Sequence, residues 1–189
     1  ADGQSTNLGI RIALDTANAR GGVNGHKIVL KTMDDEYKPD RTVELIRKEA
    51  TTNTLALLLP VGSASMTKVL KEKVLESVKL PVVGVIPGAE PLRAPTNPYL
   101  YHVRAGDLDQ YRHIVEHTMT VGMRRYAVVY ADIPFGKAGM AAVEALLKGR
   151  ELAPVAGLPF TLGASIDFAA VLGRLGQSAP DVVVLISPP

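Results

Sequence analysis

The stretch Leu55-Ala56-Leu57-Leu58-Leu59-Pro60-Val61-Gly62-Ser63-Ala64-Ser65 sets the fold class. Leu55 to Leu59 is a short, unbroken apolar run. Such a run suits a strand covered on both faces, as strands are in parallel sheets. A Gly-Ser-Ala-Ser turn follows, then a helical pattern to about Val78. Pro81 to Ile86 is a second buried run, ending in the loop Pro87-Gly88-Ala89-Glu90-Pro91. Strand, helix, strand is the unit that lets two parallel strands lie side by side.

The same rhythm extends in both directions. Upstream, residues from about Gly3 to Arg20 place Leu8, Ile10, Ile12, Leu14 and Ala17 on a wide helical stripe that Gly21-Gly22 stops. Val23-Asn24-Gly25 is a turn signal. His26 to Met33 alternates Ile28, Leu30 and Thr32 against Lys27, Val29 and Lys31, which predicts a strand. Asp34 to Lys38 is a loop, and Pro39 opens a helix to about Thr51 with Val43, Leu45 and Ile46 inward. Downstream, Pro91, Pro95 and Pro98 interrupt the rhythm, and Tyr99 to Arg104 is extended. Helices are predicted over Asp107–Val121, Lys137–Arg150 and Ile166–Leu175, and strands over Tyr126–Tyr130, Val155–Phe160 and Val182–Ile186. The fold class is α/β with mainly parallel sheets. The prolines put a boundary near residue 105, with one lobe over 1–105 and a second over 106–189.

Composition limits the function. The 189 residues are 47% hydrophobic and 21% charged, the balance of a globular core rather than of a disordered chain. A net charge of +2 argues against a nucleic-acid binder driven by electrostatics. Without cysteine there is no disulfide, thiolate nucleophile or Cys-ligated zinc. No apolar run approaches the length of a membrane span.

Several motifs bear on chemistry. His113-Ile114-Val115-Glu116-His117 matches H-x-x-E-H, an inverted zinc-protease signature. At about 100° per residue, however, Leu108, Tyr111, Val115 and Met119 share one side of the helix and the two histidines face the other. That favours exposed polar residues over a zinc hydrolase. Asp34-Asp35-Glu36 ends a strand, but no G-x-G-x-x-G precedes it, so it reads as a solvated loop leading into a helix. No P-loop and no G-x-S-x-G elbow occur. No reacting group, cofactor or metal is called for, and the chain is read as a binding protein rather than an enzyme.

Three loops at strand ends suit ligand binding. Gly62-Ser63-Ala64-Ser65 starts a helix, where free N–H groups and the helix dipole attract an anion. A plain serine N-cap fits that stretch equally well. Gly88, Ala89 and Glu90 follow the next strand, and small residues let a ligand approach the backbone. Phe135 lies in a loop after a strand of the second half, as a ligand-facing ring or as a ring tucked under its own loop. In open α/β sheets the ligand crevice lies beyond such strand ends.

The same segments carry a family resemblance. Gly3 to Gly25, Asp34-Asp35 with Pro39-Asp40-Arg41, Gly88 to Arg93, Tyr101 to Arg104, and Tyr130 to Gly139 occur in order along nearly all of the chain. Together they make it resemble the periplasmic solute-binding proteins of the branched-chain amino-acid (leucine/isoleucine/valine) receptor family of ABC transporters. The resemblance implies two doubly wound lobes that close on a ligand, with Arg104, Ala105, Gly106 and Asp107 in the hinge. It implies that Ser65, with Ser63 nearby, holds a ligand carboxylate, that Gly88, Ala89 and Glu90 contact carboxylate and ammonium, and that Phe135 packs on the ligand. It further implies a small-molecule ligand (an amino acid or related carboxylate), an ABC permease as partner, and a periplasmic or extracytoplasmic location. A sensory domain of the same fold is the alternative. Where many relatives have Thr or Ser the chain has Glu90, and Asp107 stands where relatives carry an aromatic; either acid, if turned inward, favours a ligand with a cationic group. Against this family both lobes look incomplete. The first strand of lobe one is expected to be missing, leaving backbone groups beside it unpaired.

Overall fold

The computed structural model describes residues 2–163 and 167–187. It divides into two compact units. One runs to Pro87 and includes Pro91–Arg104; the other comprises Gly88–Glu90 and the chain from Ala105 onward. In the first unit the elements are α1 (Asp2–Ala19), α2 (Pro39–Glu49), β1 (Leu57–Leu58), α3 (Ser63–Lys71), α4 (Val74–Val78), β2 (Val82–Val85) and β3 (Leu100–His102). The second holds α5 (Asp107–Thr120), β4 (Tyr126–Ala131), α6 (Pro134–Lys148), β5 (Ala156–Phe160), α7 (Phe168–Ser178) and β6 (Val182–Ile186). Ile166, where the sequence pattern starts the last helix, lies outside the described residues.

Each unit is built on a parallel sheet. In the first the order is β1-β2-β3, with Leu57 opposite Val82 and Val82 opposite Leu100. In the second it is β5-β4-β6, with Val128 opposite Gly157 on one side and Val184 on the other. The architecture is therefore α/β, as the alternating pattern predicts. In the second unit Tyr126 and Val128 of β4 and Val184 and Ile186 of β6 share one face by the two-residue period. Val115 of α5 and Val143 and Leu147 of α6 cover that face, and all of these side chains are buried. The turns leading into β4 and β6 are tied together. Asp181 accepts from the backbone N–H groups of Arg124 and Arg125, which holds its carboxyl below the usual range, and the Arg125 guanidinium reaches the carbonyls of Ser178 and Ala179.

Three expectations are corrected in the first unit. The helix predicted from Ser65 to Val78 is two helices, because Lys73 is left-handed (φ +49). The break has a packing reason. Val69 is fully buried, and an unbroken helix would place Lys73 and Glu76, four and seven residues on, against the same core. Re-phasing at Lys73 turns Val74 and Leu75 inward instead, both at 0% exposure.

The strand predicted over 26–33 joins no ladder. Its alternation is still visible, with Ile28 and Leu30 half-buried and Lys27, Val29 and Lys31 exposed. Side chains hold it in place of strand partners. Asn18 accepts from the Ile28 N–H and donates to the Ile28 carbonyl, Asn7 donates to Thr32, and Lys31 pairs with Glu49 at 2.6 Å. Among the described residues no strand pairs with the edge of β1 away from β2 either, and Leu55 and Val29 are 88% and 87% exposed. The third correction concerns α1. Its stripe is not core: Leu8 and Ile12 are exposed, while Ile10, Leu14 and Ala17 are half-buried.

Glu49 gives the first unit a pH dependence. Its side chain is 3% exposed and bonded to the Lys31 ammonium, which lowers its pKa against the opposing effect of burial. A carboxyl whose folded pKa is depressed contributes stability above its unfolded pKa, near 4.5. That contribution is lost as pH falls through the folded value. Acid titration of the wild-type chain is expected to destabilise this unit below about pH 4.5. Lys31→Met is expected to lower the neutral-pH midpoint and to flatten the acid limb. Parallel acid limbs for the two proteins would contradict this.

Candidate functional site

The best-defined constellation surrounds the start of α3. After β1 the chain passes through Leu59 (φ +46) and Gly62 (φ +103) and enters the helix at Ser63. Gly62 is the N-cap residue and no side chain caps the helix. The simple serine-cap reading is thus corrected: Ser63 is the first helical residue. The first intrahelical bond runs from the Met66 N–H to the Gly62 carbonyl, at 3.1 Å. The N–H groups of Ser63, Ala64 and Ser65 therefore have no acceptor within the helix. Glycine is favoured at position 62 by its positive φ of +103; a Cβ there would meet Ser65 Oγ and Tyr37 Cε2 at an ordinary contact distance of 3.4 Å.

Ser65 is placed differently from Ser63. Ser65 is 1% exposed, whereas Ser63 is half-buried. Ser65 Oγ lies 2.9 Å from Thr42 Oγ1, which lies 2.5 Å from Asp35 Oδ2. Thr42 Oγ1 is the donor of this cluster, with Asp35 Oδ2, Ser65 Oγ and the Lys38 carbonyl as its acceptors. Ser65 Oγ accepts from Thr42. Asp35 also accepts the Tyr37 N–H at 3.0 Å, so one acid ties the loop before α2 to the start of α3. Sequence patterns missed Thr42 and Tyr37. Thr42 reads as an ordinary helix residue, and nothing local shows that its hydroxyl meets one 23 positions later.

In the second unit, Gly88 is buried, Ala89 half-buried and Glu90 exposed, and Glu90 opens a short 3-10 helix over Glu90–Leu92. The Gly88 carbonyl accepts the Asp107 N–H at 2.8 Å, and a Cβ on Gly88 would lie 2.0 Å from Asp107 Oδ1. Gly88 and Asp107, distant in sequence, are thus in contact. The residues assigned to the hinge are held from both sides. Arg104 donates to the Ile86 carbonyl and its own carbonyl accepts from Arg93, while the Gln110 amide reaches the carbonyls of Ala105 and Gly106. Gly106 is the N-cap residue of α5, and Asp107 lies in its first turn.

The placement of Phe135 corrects the sequence reading. The helix starts three residues earlier than predicted, at Pro134, whose fixed φ suits that position. Phe135 is therefore in the first turn of α6, not in a loop. It is half-buried and packs against the second-unit core. Beside it Lys137 pairs with Asp132 at 2.7 Å, which raises the lysine pKa.

Other features stand apart from these loops. His113 and His117 are exposed on α5, and Glu116 pairs with Arg150 at 3.2 Å. Among the described residues no three His, Asp or Glu side chains gather as a metal site. No described helix is long and apolar enough to cross a membrane. A cavity of about 460 Å³ beside α3 and α4 is lined by Lys71, Lys73, Glu76 and Asn97 among others, and by none of the candidate ligand-binding residues.

A family profile described as periplasmic binding protein matches residues 1–189. Among solved structures, a substrate-binding periplasmic protein from Ralstonia solanacearum is 31% identical with a TM-score of 0.82, over 97% of this chain and 51% of that one. An extracellular ligand-binding receptor from Verminephrobacter eiseniae is 35% identical with a TM-score of 0.80, over 97% and 52%. An ABC transporter substrate-binding protein from Desulfitobacterium hafniense, solved in complex with Leu, shares the fold at 17% identity and a TM-score of 0.72, over 94% and 52%. No curated protein matches. The chain spans about half the length of these solved relatives. With two parallel α/β units and a profile match along its whole length, the chain belongs to the periplasmic binding protein family.

Proposed function

We propose that this chain is part of an extracytoplasmic solute-binding protein of the branched-chain amino-acid receptor kind. In this reading it captures an amino acid or related small carboxylate and delivers it to an ABC permease. The two lobes, 1–105 and 106–189, close about Arg104–Asp107, and the ligand stabilises the closed state. The observation that carries the reading is the uncapped start of α3, at the C-terminal end of a parallel strand in a chain of this family. Donors with no partner in the helix, aided by the helix dipole, suit a carboxylate. The hydroxyl of Ser63 and the N–H groups of Ser63 to Ser65 supply them.

The Ser65 hydroxyl accepts from Thr42, so its own proton suits a donor role toward a ligand carboxylate. Gly88, Ala89 and Glu90 of the first lobe and Phe135 of the second complete the set. The Leu bound to the Desulfitobacterium protein supports the ligand class, and fatty acids, for which a structural neighbour from Thermomonospora curvata is named, are carboxylates too.

The test is calorimetric titration of the full chain with L-leucine, L-phenylalanine, glycine, benzoate and acetate. At least one is expected to bind. Ser63→Ala is expected to weaken that binding by about 1–3 kcal/mol, the worth of a hydrogen bond to a charged group. Unchanged affinity removes Ser63 from the site, and no binding by any probe removes the carboxylate reading.

A further inference from the structure

We propose that the first unit carries a second binding site, the cavity between α3, α4 and the 91–98 segment, and that it takes a small organic oxyanion with an apolar body. Its lining residues, from Thr67 to Pro98, all belong to that unit. α3 runs from Ser63 to Lys71, so Lys71 stands about 12 Å along the axis from the start of the helix. The cavity is therefore separate from the carboxylate site described above.

Three observations carry it. The first is size. About 460 Å³ falls within the range of small-molecule pockets, roughly 300–1,000 Å³.

The second is charge. Lys71 and Lys73 line the cavity, and both are exposed. Among the described residues no ion pair includes either of them. The basic residues nearby are different. Lys68 is held by Asp40 and Glu72 at 3.0 and 2.9 Å, and Arg47 reaches Glu72 at 3.3 Å. Glu72 is thus taken by other cations. Glu76, which also lines the cavity, accepts from the Asn97 amide at 2.7 Å. The dipole at the end of α3 accounts for Lys71, in its last turn, but not for Lys73, which lies past its cap. Two ammoniums beside one engaged carboxylate leave the lining positive, and an oxyanion supplies the counter-charge. Lysine meets an oxyanion as a point charge, so phosphate, sulfonate and carboxylate heads all suit it.

The third is the wall. Leu70, Pro91, Pro95 and Pro98 give the cavity an apolar side. Proline fixes its own φ, so the wall is ordered before ligand arrives and little entropy is lost on binding. An inorganic ion leaves this wall unused. A neutral apolar molecule leaves the ammoniums unpaired. A ligand that is anionic at one end and apolar at the other uses both.

The experiment is calorimetric titration of the full chain with phenyl phosphate, inorganic phosphate and benzyl alcohol. The first probe has both halves and each of the others has one. Phenyl phosphate is expected to bind at least about tenfold more tightly than either. Lys71→Gln and Lys73→Asn are each expected to weaken it by about threefold to fivefold. Asparagine suits the left-handed backbone at residue 73. Raising salt from about 0.05 to about 0.5 M is expected to weaken wild type more than the double variant. Near-UV circular dichroism and thermal melts show that each variant is folded. Folded lysine variants that bind phenyl phosphate like wild type overturn the assignment. If Ser63→Ala weakens phenyl phosphate and the lysine variants do not, the anion sits at the start of α3 and the assignment again fails. Equal affinity for phenyl phosphate and inorganic phosphate would show that charge alone binds, and the apolar half of the proposal falls. If wild type does not bind phenyl phosphate, the whole proposal falls, while the carboxylate reading stands or falls on its own probes.

Discussion

Tyr126→Ala is expected to destabilise the second unit by about 3–5 kcal/mol, the range for deleting a buried aromatic ring. Tyr126 is the largest fully buried side chain, at 0% exposure, and it sits on the central strand β4 beneath α5 and α6. Truncation leaves a cavity among Val115, Val143 and Leu147 that a close-packed interior fills poorly. It also removes a polar contact. The phenol bonds Thr118 Oγ1 at 2.8 Å and the Val115 carbonyl at 3.2 Å, where α5 crosses the sheet. Tyr126→Phe separates the two contributions, because it keeps the volume and loses only the hydroxyl. That variant is expected to cost about 0.5–1.5 kcal/mol. Urea unfolding followed by far-UV circular dichroism gives both values. A Tyr126→Ala midpoint close to that of Tyr126→Phe would mean that the ring is not the packing centre of this unit.

Gly136→Ala is expected to be nearly as severe, for the opposite reason. A Cβ at residue 136 would lie 2.0 Å from the Ala131 carbonyl oxygen and 3.0 Å from Ala131 N and C. The obstacle is backbone at the end of β4, so no rotamer change relieves it. The start of α6 must move off the sheet. Overpacking typically costs about 1–3 kcal/mol, and a backbone clash belongs at or above the top of that range. Because Phe135 precedes Gly136 in the first turn of α6, the same shift moves a residue proposed to meet ligand. The variant is therefore expected to lose both unfolding midpoint and ligand affinity. An Ala variant with an unchanged midpoint would show that the helix can slide freely over β4.

Much of the fold is legible in the sequence because burial leaves a periodic trace. The apolar runs at Leu57–Leu58, Val82–Val85 and Val182–Ile186 are strands of parallel sheets. Boundaries fixed by packing were less legible. The break at Lys73 follows from which residues can face the core after Val69, and the start of α6 at Pro134 follows from a turn that reads locally as a loop. The 26–33 stretch shows the limit of pattern. Its alternation is that of a strand, but a strand also needs a neighbour, and a sequence window does not contain its neighbour.

The candidate site divides in the same way. The sequence alone determined that a Gly-Ser-Ala-Ser segment follows a buried strand and starts a helix, because apolar runs and turn residues are local signals. It also determined that Gly88 to Glu90 follow the next strand, and that the two histidines of the H-x-x-E-H motif face outward on their helix. Only the tertiary structure decided what those residues do to one another. It made Gly62 rather than a serine the cap, aimed the Thr42 hydroxyl at Ser65, set Asp107 against Gly88, and stood Tyr37 beside the start of α3. The physical reason is range. Backbone propensity and burial act within a few residues, whereas a hydroxyl's proton, a ring's position and the space left by a missing Cβ are settled by atoms that the chain brings together from far apart.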